Sequence, residues 1–233
     1  MTHTPHATSQ RQPAAPGTAT HAHPAPHLSP EPAQYGIGAR ISVHPMTSDF
    51  ADRILTALSE TDPRGLTIET DDVSTFLQGP ESDLLAYTTD LIARVAAGGV
   101  HTAAHILFSR GCPGEITCEL PGGAAWAPDE LPGLSPAGVH AGAHWSLYPL
   151  DDDPAADHMA GIEAAIEHAR GRGVFSGSEH FATRLDGDLA DVLSAVVGGW
   201  LLVGRSTRHV TSHVSLSLNS PSTPAAGSNG ETA

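Results

Sequence analysis

The chain repeats itself at an offset of 108 residues. His101-Thr-Ala-Ala-His105-Ile-Leu-Phe-Ser109-Arg-Gly-Cys-Pro113 returns as His209-Val-Thr-Ser-His213-Val-Ser-Leu-Ser217-Leu-Asn-Ser-Pro221. Thr75-Phe76-Leu77-Gln78-Gly79 returns at the same offset as Thr183-Arg184-Leu185-Asp186-Gly187. Ser42-Val43-His44-Pro45-Met46 returns as Ser146-Leu147-Tyr148-Pro149-Leu150 at an offset of 104, which places a short insertion at Asp151 to Pro154. Solenoid units run roughly 20–50 residues, so a period this long means two duplicated modules. Each candidate residue then has a counterpart against which it is checked.

Outside the repeat, residues 1–34 are rich in Pro, Ala, Thr and His, and residues 220–233 in Ser, Pro, Ala and Gly. Neither segment carries enough apolar surface to offset ordering entropy, so both are expected to be disordered tails. Between them lie a first module at 35–111, a Gly/Pro-rich linker at 112–138 and a second module at 139–219. The linker is long for an ordinary connection, which suggests partial disorder or a lid. A net charge of −15 disfavours nucleic acid and anionic membrane surfaces and suits a neutral or cationic small ligand. No secretory-signal pattern and no stretch long enough to span a membrane occur. With only Cys112 and Cys118, whose spacing matches no strong metal pattern, the expected location is cytoplasmic.

The same order of elements is read in each module. Gly38 to His44 alternates as a strand, with Ile41 and Val43 on one face and Ser42 and His44 on the other. Thr47 or Ser48 is a plausible cap for a helix through Phe50, Ile54, Ala57 and Leu58. A hairpin over Leu66–Thr70 and Val73–Gln78 follows, then a helix from Leu84 to Val95 and a strand from Thr102 to Arg110. The second copy reads likewise: a strand at Ala143–Tyr148, a helix through Ile162, Ile166 and Ala169, and a hairpin over Val174–Ser178 and His180–Leu185. A buried helix from Leu189 to Leu201 and a strand at Val210–Leu218 complete it. The order β-α-β-β-α-β, twice, is the ferredoxin-like unit, an α+β fold of antiparallel sheets with helices on one face. The open faces of two such sheets can be buried against each other or against another chain.

His-x-x-x-His on a helix would bind zinc. On a strand the same residues sit about 13 Å apart, too far for one ion, so His101, His105, His209 and His213 read as polar sheet-face residues. Thr75 and Thr183 alternate with apolar neighbours, Val73 and Leu77 in one copy and Phe181 and Leu185 in the other. Their hydroxyls should therefore point to the helix side. A buried hydroxyl needs a partner or costs about 1–3 kcal/mol. That partner is either a backbone carbonyl or a ligand. Pro45 and Pro149 offer no N–H and are expected to end their strands. The backbone N–H and C=O of Val43 and Leu147 could then face a pocket, an edge suited to a planar heterocycle with an amino group beside a ring nitrogen. Asp49, Asp52 and the run Asp151–Asp153 favour the positive ends of helices. Asp71, Asp72 and Glu179 sit near hairpin turns for local reasons. No Ser-His-Asp order, phosphate loop or dinucleotide fingerprint occurs, and no enzymatic activity is expected.

Taken together, Ser42-Val43-His44-Pro45-Met46-Thr47 with Asp49-Phe50, Thr70-Asp71, Ser74-Thr75, Leu77, Phe108-Ser109 and Gly111-Cys112-Pro113-Gly114 resemble the YkoF family. The second copy agrees through Ser146-Leu147-Tyr148-Pro149, Leu185-Asp186-Gly187-Asp188, Leu216-Ser217 and Asn219-Ser220-Pro221. The resemblance spans about residues 36–221. It implies tandem ferredoxin-like, ACT-like modules and a homodimer. It also implies binding of thiamin through its hydroxymethylpyrimidine moiety, in salvage or transport of thiamin precursors. The ligand positions it implies are Val43 and Thr75, with counterparts Leu147 and Thr183. His44 stands where the second copy has Tyr148, so the two pockets are expected to differ. The alternatives are a His-rich metal-handling protein, with His3, His6, His21, His23 and His27 in the tail, or an ACT-like small-molecule regulator.

Overall fold

The structure is a computed structural model that describes residues 32–112, 127–128, 133–150 and 157–222. The first module contains β1 (Gly38–Pro45), α1 (Phe50–Glu60), β2 (Thr67–Thr70), β3 (Thr75–Gln78), α2 (Glu81–Val95) and β4 (Thr102–Arg110). The second contains β5 (His140–Leu150), α3 (His158–Gly171), β6 (Phe175–Glu179), β7 (Ala182–Asp188), α4 (Leu189–Gly204) and β8 (His209–Leu218). The fold is α+β and repeats the ferredoxin-like order twice. The insertion at Asp151–Pro154 and most of the linker lie outside the described residues.

The two modules do not stack their sheets. They join edge to edge in one antiparallel eight-stranded sheet of order β2-β3-β1-β4-β8-β5-β7-β6. The last strand of each module is an edge strand with a row of unsatisfied N–H and C=O groups, and β4 and β8 satisfy each other along their full length. One face is covered by the helices, with α2 against α4 at the centre and α1 and α3 on the flanks. Ile41, Leu77, Ile106, Phe108, Trp145, Leu185, Val214 and Leu216 point into that core.

Helix α4 is buried all round because it packs on β5, β7 and β8 beneath it and on α2 and α3 beside it. That crowding explains its central glycines. A Cβ on Gly199 would lie 2.6 Å from Trp145 Cη2, and one on Gly198 would lie 2.3 Å from His168 Nε2.

Several local expectations are corrected. Asp49, not Thr47 or Ser48, occupies the N-cap position of α1, and the Thr47 hydroxyl bonds the Asp49 carboxylate instead. That bond holds the Asp49 carboxyl below its ordinary value. Val73 and Phe181 lie in the hairpin turns and are exposed rather than sharing the core face of Thr75 and Thr183. Pro45 ends β1 as expected, whereas β5 runs one residue past Pro149. Both prolines are tolerated because their missing N–H would face a side from which the neighbouring strand has already departed.

Candidate functional site

Each module has a cavity where its first strand, first helix and hairpin meet. In the first module it has a volume of about 230 Å³ and is lined by Ile41, Val43, Ile54, Leu58, Asp72 and Thr75, among others. In the second the volume is about 250 Å³, with Trp145, Leu147, Ile162, Ile166, Glu179 and Thr183 in the lining. Val43 and Thr75 thus share one cavity, and Leu147 and Thr183 share the other.

The ladders fix which way the backbone points. Met46 N–H donates to the His101 carbonyl at 2.8 Å, in register with the β1–β4 pairing. Alternate residues of an antiparallel strand turn their N–H and C=O to opposite sides. Ser42 and His44 therefore bond β4, while Ile41, Val43 and Pro45 face the β3 side. Pairing with β3 stops at Ile41. The N–H and C=O of Val43 accordingly look out from an edge that carries no strand and borders the cavity. Leu189 N–H donates to the Val139 carbonyl at 2.9 Å, in register with the β5–β7 pairing. The same parity turns Leu147 toward the β7 side, where pairing stops at Trp145.

Thr75 is buried on the helix side of β3, and its hydroxyl lies 3.1 Å from that of Thr70. The partner is a second hydroxyl, not the backbone carbonyl that a lone buried Thr would favour. One of the pair donates to the other, and the acceptor keeps its own O–H for a further partner. Thr183 is half-buried, and its hydroxyl has no hydrogen-bond partner among the described residues. Both cavities therefore carry hydroxyl capacity beside an open backbone edge.

The acids at the mouths differ in what they have left to offer. Asp71 Oδ1 accepts from the backbone N–H of Val73 and Ser74, each at 2.8 Å, and Oδ2 pairs with Arg40 at 2.8 Å. These bonds pull its carboxyl down to about 2. Asp71 is a turn-former whose oxygens are already used, whereas Asp72 beside it is exposed. Glu179 is exposed at the position equivalent to Asp71.

The histidines of the repeat lie on the opposite, open face of the sheet. His105 Nδ1 meets Ser215 Oγ at 3.0 Å, and His101 Nε2 meets Ser217 Oγ at 3.2 Å. The His105 and His213 rings stack with centroids 6.3 Å apart. Partial burial, with His44 and His213 nearby, lowers the His105 pKa. These residues sit at the junction of the two modules, away from both cavities. Among the described residues no group of three or more His, Cys, Asp or Glu is placed to hold a metal ion. The five tail histidines lie outside the described residues. No described helix is long and apolar enough to cross a membrane.

Sequence reasoning missed the floor of the second cavity. Trp145 Nε1 donates to Ser212 Oγ at 2.9 Å, and its ring occupies the space above Gly199. The equivalent first-module residues are Ile41, Ala104 and Leu91. Three changes compensate one another: a larger ring, a hydrogen-bond partner for it and a missing side chain. It also missed a buried ion pair, Arg110 with Glu81 at 3.2 Å, roofed by Tyr35 and Trp200.

The profile of the YKOF-related Family matches residues 36–115 and 140–223, one stretch for each module. The chain is also 33% identical over 188 residues to the "Putative HMP/thiamine-binding protein YkoF" of Bacillus subtilis (strain 168). That alignment covers 79% of this chain and 91% of the relative.

Proposed function

This chain belongs to the YKOF-related family, and on that premise we propose that each of its two cavities binds the aminopyrimidine ring of hydroxymethylpyrimidine or thiamin. The observation that carries the reading is the duplicated edge. Val43 and Leu147 each turn a backbone donor and acceptor, unclaimed by any strand, toward a cavity that also holds a Thr hydroxyl. An aminopyrimidine presents the complementary pair, an amino donor beside a ring-nitrogen acceptor. Cavities of about 230 and 250 Å³ are smaller than the roughly 300–1,000 Å³ of sites for drug-sized ligands. One ring fits, and the rest of thiamin projects from the mouth, where Asp72 or Glu179 meets its thiazolium charge. The relative's name supports the same ligand class.

The protein binds without turnover and serves salvage or transport of thiamin precursors in the cytoplasm. Its open sheet face, with its exposed His and Leu107, packs against a second copy in a homodimer. Calorimetric titration with thiamin and with hydroxymethylpyrimidine tests the binding. Two sites per chain are expected, with Thr75→Val weakening one of them about tenfold, the loss of one hydrogen bond. No heat with either ligand at concentrations well above micromolar refutes the reading.

A further inference from the structure

We infer that the second cavity grips a flat heteroaromatic ring between two aromatic side chains, Trp145 as floor and Phe181 as lip, while the first cavity has the aliphatic Ile41 and Val73 at those two places. The inference rests on the proposal that a ring-bearing ligand enters both cavities.

The floor is fixed before any ligand arrives. Trp145 is 2% exposed, and Ser212 holds its indole nitrogen at 2.9 Å. Gly199 leaves the clearance that the ring needs. The first module has none of these three features at the equivalent positions Ile41, Ala104 and Leu91.

The lip is the more telling half. Phe181 lines the same cavity, yet its side chain is fully exposed, at 101%. Its φ is +64°, a left-handed backbone that bulky residues avoid. A fully wet phenyl ring in a strained turn gains the folded chain nothing by packing. The His180 ring lies beside it, with centroids 6.5 Å apart. Ser146 Oγ donates to the Phe181 carbonyl at 3.3 Å, which ties the turn to the rim of β5. The backbone is thus held at the mouth while the side-chain torsions stay free to swing the ring over an occupant. Val73, its counterpart, is also exposed at the mouth of its own cavity, but it is aliphatic and its φ is negative. An apolar lip therefore stands at both mouths, and only the second lip is a ring. Offset or edge-to-face packing on a π-system favours a planar ring over an aliphatic ligand of equal area.

The test uses the full chain with thiamin and hydroxymethylpyrimidine as probes. A Thr75→Val background weakens the first site and leaves the second in view. Phe181→Ala is expected to lower affinity there about tenfold. Binding is expected to quench indole fluorescence, and Trp145→Phe to abolish that quench. In a Thr183→Val background, Val73→Phe is expected to tighten the first site. If Phe181→Ala binds like its parent while the parent binds normally, this inference falls and the binding function stands. If the unmodified chain binds neither probe, both fall.

Discussion

Ile106 pairs directly with Val214 across the β4–β8 junction, and Val214 is its own counterpart in the repeat. The neighbours follow suit, with His105 opposite Ser215 and Leu107 opposite His213. A residue that faces its own copy marks a two-fold axis, the signature of an isologous contact. The axis passes through the sheet between these two side chains. The two modules therefore meet as two subunits of a symmetric dimer would.

That symmetry makes the first prediction. A chain shortened to residues 1–115 leaves β4 without β8, and β4 can take the same register with a second β4. The expected product is a dimer, measured by light scattering during gel filtration. A stable monomer would show that β8 supplies something a second β4 lacks.

The buried ion pair gives the second. Arg110 is wholly inside and Glu81 nearly so, and their second-module counterparts are Leu218 and Leu189. Glu81→Leu leaves the guanidinium buried without its carboxylate, at an expected cost of about 3–5 kcal/mol. Adding Arg110→Leu recreates the apolar solution of the second module and should restore most of that loss. Urea unfolding of the two variants decides it. A single variant as stable as the parent would mean that the guanidinium has other adequate partners.

The third prediction concerns acid. The Asp71 carboxyl lies at about 2 in the folded chain, against an ordinary value of 3.8. Between those values the unfolded chain takes up a proton at this position and the folded chain does not, so stability falls as pH falls. The contribution is complete above 3.8 and gone below about 2. The difference in urea midpoint between the parent and Asp71→Asn should be flat at neutral pH and close over that interval. A carbon-detected titration of the side chain gives the midpoint directly. A midpoint near 3.8 would mean that the bonds to Arg40, Val73 and Ser74 do not hold in solution.

The repeat and its alternation made the modules, their element order and the core placement of Thr75 legible from sequence. Side-chain periods of two and 3.6 report burial, and burial is what they encoded correctly. They say nothing of lateral backbone pairing, so the union of β4 with β8 was invisible. Arg110 at a strand end reads as solvent-facing because a lone charge usually is. Its burial is matched by Glu81, 29 residues away, and by the rings of Tyr35 and Trp200. Val73 and Phe181 were misplaced because hairpin turns break the alternation that the neighbouring Leu77 and Leu185 obey. The Trp145, Ser212 and Gly199 set was present in the offsets, but three scattered differences carry no message until they are seen to touch.

The open edge beyond Ile41 and Trp145 has one more consequence. A bare strand edge invites a segment of another protein to add itself as an extra strand. Pro45 and Pro149 withhold the next donor on that edge, and the hairpins close its other end. A small molecule needs only the single donor and acceptor that remain, whereas an invading strand needs a row of them. An edge this short admits a small molecule and refuses a strand, so the fold leaves it open without the usual hazard of aggregation.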